Sequence, residues 1–260
     1  MRIEVRGENS GPADVMTSTA PPVSRAEREA YERWHAKLDV DVTLDTPWHR
    51  QIVHRIRADG HQLGRVLEIG CGRGGFATWL ASEPSTTSVV AADFSAVGVQ
   101  MGRAHARRLD PGPLDWAVAD VQAVPFADGS FDTVCSCETI EHVPSPRRAV
   151  GELFRVLRPG GRLYLTCPNY LGPMGGYRVY LRLRGRRFTE DGQPINRFLL
   201  LPRTLIWLKR SGFDVEMFDS TGHYLPWPGA PPRDLGALSP RWAAKWFGLH
   251  SLVVAMRPRA

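Results

Sequence analysis

Residues 66–75 read VLEIGCGRGG. A short apolar strand runs into glycines at 70, 72, 74 and 75, and GFATWLASE continues with helical spacing. Glycine adopts the left-handed turns that side chains resist and lets a ligand approach the backbone. The helix that follows offers unpaired N–H groups. The turn fits two patterns, G-x-G-x-x-G at Gly70, Gly72 and Gly75 (the dinucleotide form) and G-x-G-x-G at Gly70, Gly72 and Gly74. It also fits a plain strand-to-helix turn that binds nothing.

Working outward, strands and helices alternate. TSVVAADFS reads as a second strand, AVGVQMGRAHARRL as a helix, DWAVADV and FDTVCSCE as the third and fourth strands. PRRAVGELFRVLRPGG reads as a helix closed by glycine, RLYLTCPN as a fifth strand, PRTLIWLKRSG as a helix, and FDVEMFDS and HSLVVAMRP as the last two strands. Strands separated by helices of this length form βαβ units on a parallel sheet, whose ligands bind beyond the carboxyl ends of the strands. The expectation is an α/β, Rossmann-like doubly wound sheet of seven strands, mostly parallel with the last antiparallel, and helices on both faces.

Upstream, residues 1–24 are rich in Gly, Pro, Ser and Thr without periodicity, which predicts a flexible tail before one domain over 25–260. Two helices are expected within 25–64, the first capped by Ser24 and the second with Pro47 in its first turn and Gly60 as its stop. No apolar run reaches the roughly 20 residues of a membrane span, and the charged opening lacks a secretory core, so the expected location is cytoplasmic. Cys71, Cys135, Cys137 and Cys167 show no zinc-type spacing and read as reduced core thiols. Five of the six net positive charges fall within RVYLRLRGRR, 178–187. One basic patch on a nearly neutral chain is no general nucleic-acid coat, and no DNA partner is expected.

Four further features bear on the glycine turn. Glu68 stands two residues before Gly70, Asp93 closes the next strand, Asp120 follows the third within ADV, and LRPGGRLYL leads into the fifth. With the strand pair at the end of the chain, these resemble the class I S-adenosylmethionine-dependent methyltransferases, from about Val66 to Pro258. The resemblance implies S-adenosyl-L-methionine as cofactor. Gly70, Gly72 and Gly74 would bend around its methionine part and Glu68 would hold its amino group. Asp93 would take the ribose hydroxyls, Phe94 would lie against the adenine, and Asp120 and Val121 would meet the adenine edge. An NAD-dependent oxidoreductase is disfavoured by Glu68, Asp120 and the terminal strands.

ETIEHV, 138–143, falls at the carboxyl end of the fourth strand. If it turns helically, Glu138, Glu141 and His142 share a face at i, i+3 and i+4. Three readings stand: a half-shell for a divalent ion (Mg, Mn, Zn or Fe), a metal-free base at His142, or a polar loop that satisfies its own N–H groups. CETIEHVPSP is similar to the E-x-x-E-H segment of the ubiquinone-biosynthesis O-methyltransferases, which implies a metal that orients a substrate hydroxyl. The bacterial RNA 3′-end 2′-O-methyltransferases share E-x-x-E-H but add a downstream metal histidine. Here TCPNYLGP departs from their pattern, and His223 lies in no matching motif.

The expected reaction is methylation of a hydroxyl on a small molecule of phenolic, quinol, sugar or other natural-product type. N- or C-methylation and RNA 3′-end methylation are the alternatives. Residues 170–201 form a long insertion expected to cover the substrate as a lid, with GPMGG as a hinge. Its arginines suit an acidic or lipid-linked substrate, or peripheral membrane contact through 177–187. Tyr31, Trp34, His35 and Trp48 would close the opposite side, and the Pro/Gly-rich stretch GHYLPWPGAPPRDLG, 222–236, is expected as a loop bordering the pocket.

Overall fold

The computed structural model describes residues 23–38, 44–186, 193, 195–227, 230–235 and 241–259. Most of the expected tail lies outside them. The chain opens with α1 (Arg25–His35) and α2 (Pro47–Asp59). Ser24 and Glu27 cap α1 reciprocally, the Glu27 N–H donating to Ser24 Oγ at 3.2 Å and the Ser24 N–H to Glu27 Oε2 at 2.8 Å. Thr46 caps α2, Pro47 starts it, and Gly60 ends it at φ 61°.

There follow β1 (Gly64–Ile69), α3 (Gly75–Ser82), β2 (Thr86–Asp93), α4 (Ala96–Ala106), β3 (Leu114–Val118) and β4 (Phe131–Cys137). After a 3₁₀ turn at Ile140–His142 come α5 (Pro146–Val156), β5 (Leu157–Pro168), α6 (Pro173–Leu183) and α7 (Leu201–Arg210). The last elements are β6 (Asp214–Thr221), β7 (Tyr224–Trp227), β8 (Ala230–Asp234), α8 (Arg241–Phe247) and β9 (His250–Met256).

Seven strands form one sheet in the order β3-β2-β1-β4-β5-β9-β6. β1 to β5 are mutually parallel, and β9 runs antiparallel to both β5 and β6. This is the expected doubly wound sheet. Period-two alternation splits each strand between two apolar layers. Leu67, Ile69, Val134, Leu163 and Val253 pack with Leu153 and Val156 of α5 and Leu208 of α7. Val66, Val89, Cys135, Tyr164 and Leu252 pack on the other face with Ile52 and Ile56 of α2 and Phe76 and Leu80 of α3.

Three local expectations change. RPGG belongs to β5 and not to the end of α5, because Pro159 holds Arg158 out of the helical region and Leu157 is already extended at φ −72°, ψ 138°. GPMGG, expected as a hinge, opens a helix, with Pro173 at the start of α6 and Gly175 and Gly176 within it. The proline-rich stretch after Gly222, expected as a loop, forms the hairpin β7–β8 and leads to α8. Among the described residues no helix is long and apolar enough to cross a membrane.

Candidate active site

The sheet reverses its winding between β1 and β4, so the loops leaving their carboxyl ends diverge and open a cleft. A cavity of about 860 Å³ occupies it. Glu68, Gly70, Gly72, Gly74, Asp93, Phe94, Asp120 and Val121 all contribute to its wall. Three glycines of the turn are left-handed, with φ of 81°, 51° and 72° at Gly70, Gly72 and Gly74. A Cβ on Gly70 would run into Thr139, and one on Gly74 into the Trp116 indole. Only glycine fits either place.

Glu68 is 3% exposed, and its Oε2 has no hydrogen-bond partner. Burial first, and then the neighbouring Asp93, pushes its carboxyl up to about 8. A buried acid with an unmet oxygen in a cavity wall is matched to a cationic amino group, whose arrival restores the carboxylate. Asp93 fastens the turn. Its Oδ2 accepts the Gly72 N–H at 2.8 Å and its Oδ1 the Ser95 N–H at 2.8 Å. Burial holds its carboxyl above the usual range, opposed by His35 and by those two N–H groups. Asp120 Oδ1 accepts the Gln122 N–H at 2.8 Å. A zwitterionic amino acid joined to a nucleoside suits this donor set: an acid for the amine, two acids for hydroxyls and base, and Val121 and Phe94 for apolar contact.

The first two helices wall the other side, through Tyr31, Trp34 and His35 of α1 and Trp48 and His49 of α2. Glu32 fixes α1 there. Its carboxylate accepts from Ser95 Oγ at 2.5 Å, Ala96 N–H at 2.9 Å and Val97 N–H at 3.0 Å, at the start of α4. Burial acts to raise the Glu32 carboxyl, but the Ser95 hydroxyl and the two N–H groups outweigh it and hold the acid below its usual range. Nothing in the sequence around Glu32 marks this second cap, because its partners are 63 or more residues away.

ETIEHV does not form the expected helical face. Glu138 takes φ 45°, its N–H donating to Thr166 O at 3.0 Å, and the turn that follows is only three residues long. The Glu138 side chain therefore parts from the other two. Glu138 Oε2 lies 3.1 Å from His250 Nδ1, at the first residue of β9. Glu141 is fully buried and does not reach the cavity wall. His142 does reach it, with Nδ1 2.6 Å from the Ile195 carbonyl and Nε2 3.4 Å from Glu141 Oε1. Among the described residues no three His, Cys, Asp or Glu side chains are placed to hold a metal ion. The expected Glu138–Glu141–His142 metal set does not fit an ion, because the left-handed Glu138 breaks the i, i+3, i+4 register.

A carbonyl only accepts, so His142 Nδ1 carries a proton and Nε2 is the nitrogen that titrates. Burial holds the His142 imidazole below its usual range, partly offset by the Ile195 carbonyl and by Glu138. The Tyr31 hydroxyl donates to the same Ile195 carbonyl at 3.2 Å. Of the segment after α6, Gln193 lines the cavity and the Ile195 carbonyl meets His142. α6 itself contributes nothing to the wall. His223 is also remote, its Nε2 bonded to Ala244 O at 2.9 Å. Burial pushes all four cysteine thiols up, which disfavours the thiolate form.

Comparison with known proteins agrees with this geometry. The family described as "Methyltransferase domain" matches residues 67–165. The ubiquinone/menaquinone biosynthesis C-methyltransferase UbiE of Geotalea daltonii is 33% identical over 124 residues, 47% of this chain and 52% of that protein. The 27-O-demethylrifamycin SV methyltransferase of Amycolatopsis mediterranei is 29% identical over 172 residues, 62% of this chain and 57% of that protein. The chain thus spans about half the length of these relatives. A structure from Bacillus halodurans described as a methyltransferase superposes with a TM-score of 0.62 at 19% identity, covering 80% of this chain and 99% of that one. In fold, in cleft and in the match over residues 67–165, the chain is similar to the class I S-adenosylmethionine-dependent methyltransferases. Within that class the chain resembles the ubiquinone-biosynthesis methyltransferases.

Proposed function

We propose that this protein methylates a hydroxyl group of a small molecule of phenolic, quinol, sugar or related type. One observation carries the reading: among the imidazoles in the cavity wall, His142 and His250 each have Nδ1 engaged by an acceptor oxygen. His142 Nδ1 donates to Ile195, and His250 Nδ1 to Glu138. In both rings Nε2 is the nitrogen that accepts a hydroxyl proton as the oxygen becomes a nucleophile, that of His142 with Glu141 Oε1 3.4 Å away to stabilise the imidazolium. Bound S-adenosyl-L-methionine supplies an electrophilic methyl group. Glu68, Asp93, Asp120 and the glycine turn hold and orient it, and Tyr31, Trp34 and Trp48 exclude water. Holding the substrate oxygen about 3 Å from its target supplies a large part of the acceleration.

A second reading, C-methylation, is favoured by the name of the UbiE relative. The same bases serve it, because a phenolate is nucleophilic at ring carbon as well as at oxygen. The test is a screen with methyl-labelled cofactor against hydroxylated aromatics, sugars and isoprenoid quinols, with the product bond assigned by NMR. Label in an O–CH₃ group is the expected outcome. Label on carbon selects the second reading, and no transfer to any hydroxylated acceptor rejects both.

A further inference from the structure

α6 presents apolar side chains on its solvent face as well as on its buried one. At about 100° per residue, Met174, Gly175, Arg178 and Leu181 face inward, and all but Arg178 are buried. The outward arc is centred on Leu183, which is 82% exposed, between Val179 at 49% and Tyr180 at 45%. Arg182 and Arg184 stand on opposite edges of that arc, and Arg186 follows directly. All three are exposed. Residues 171–186 contain no Asp or Glu. Exposed Leu171 and Phe247 extend the apolar strip, since the Gly172 backbone abuts the Phe247 carbonyl at the end of α8.

We propose that this outward face of α6 docks on an anionic lipid bilayer. An apolar ridge rimmed on both sides by cations inserts between acyl chains while the guanidinium groups meet headgroup phosphates. A second copy of the chain is the poorer occupant, because two-fold pairing of this face would bring one arginine rim against another. Nucleic acid is poorer still, because the centre of the face is leucine, valine and tyrosine.

Arg178 is the exception that connects the face to the cavity. It turns inward, donating to Asn196 Oδ1 at 2.8 Å and Asn196 O at 2.7 Å, and lies over the Tyr170 ring at 4.4 Å. Asn196 adjoins Ile195, which covers His142. Docking would therefore set the cavity cover close to the lipid surface, which suits a lipid-linked substrate. That last point rests on the proposed function, whereas the docking itself does not.

The test is co-sedimentation of the full chain with phosphatidylcholine vesicles and with vesicles of phosphatidylcholine and phosphatidylglycerol. Binding to the anionic vesicles is expected to exceed binding to neutral ones at least tenfold and to weaken as salt rises. The triple variant Arg182→Ser, Arg184→Ser, Arg186→Ser should lose about fivefold per arginine. Leu183→Glu should lose comparably, while Arg103→Ser, exposed on α4, should bind as the wild type does. Calorimetry with S-adenosylhomocysteine should give one affinity for all these chains, which separates docking from the state of the cleft. Equal binding to both vesicle types, no binding to either, or α6 variants that sediment like wild type would overturn the proposal. So would a dimer in light scattering that Leu183→Glu abolishes.

Discussion

His250 Nδ1 stands 3.1 Å from Glu138 Oε2, although 112 residues separate them in the chain. Antiparallel pairing of β9 on β5 brings them together, with His250 opposite Pro168 at the carboxyl edge of the sheet. The His250 ring also lies 4.7 Å from the Trp48 ring, closing the pair on its third side. Replacing His250 with Asn, or Glu138 with Gln, is expected to lower kcat by about 100-fold or more. Binding of S-adenosylhomocysteine should stay within about threefold of wild type. The measurement pairs single-turnover kinetics on the best acceptor with calorimetry, and a loss confined to binding would remove the pair from the chemistry.

Glu68 links cofactor binding to protons. Its folded value of about 8 lies above the ordinary carboxylate range, so the free protein holds this proton at pH 7. Pairing with an ammonium expels it. Calorimetry of S-adenosylhomocysteine binding at pH 7 in buffers of differing ionisation enthalpy should show release of about one proton. Glu68→Gln should abolish the release and weaken binding by about 10- to 100-fold, the loss of one charge-assisted contact. The stability of the free protein carries the matching sign. A raised carboxyl contributes stability that is complete below the ordinary carboxylate value and is lost as pH rises through about 8. Thermal melting of the free protein should therefore decline over that window, and less steeply in Glu68→Gln.

The three turn glycines are not equivalent. Alanine at Gly70 or Gly74 meets Thr139 or Trp116 on top of a left-handed backbone, and each should cost roughly 2–4 kcal/mol in urea unfolding. At Gly72 an added Cβ meets only His35 Cε1, at 3.4 Å, so Gly72→Ala should cost about 1 kcal/mol. An equal loss at all three positions would contradict the packing described.

Glu32→Ala removes three acceptor contacts from the start of α4, and about 2 kcal/mol of stability should go with them. Because α1 carries Tyr31, Trp34 and His35 into the cavity wall, affinity for S-adenosylhomocysteine should fall as well. Amide exchange should quicken in α1 before it does in the sheet. Unchanged exchange in α1 would show that another contact holds the helix.

The sheet and the glycine turn were legible because their rules are local: period-two apolar runs, glycines where φ is positive, and acids at strand ends. Seven strands and their pairing sense follow from that pattern. The region around Glu138 was not legible. Its sequence admits a helical turn, and only the Thr166 carbonyl, reached through β4–β5 pairing, draws Glu138 into the left-handed region. His250 carried no motif, because its role comes from strand order. α8 and the β7–β8 hairpin were obscured by prolines that punctuate short strands as readily as loops. Tyr31, Trp34 and Trp48 could be placed near the cleft from sequence, while Glu32 between them could not.

Strand β9 comes last of the nine, yet it lies between β5 and β6 in the finished sheet. Until it emerges during synthesis, β5 and β6 each present a bare hydrogen-bonding edge, and neither can close on the other. A nascent chain that has already assembled the glycine turn still lacks His250. The cleft would form early and acquire the His250 imidazole only with the final strand. Ribosomal pausing before β9 should thus yield an aggregation-prone intermediate that chaperones retain, with the edges of β5 and β6 as the surface they shield.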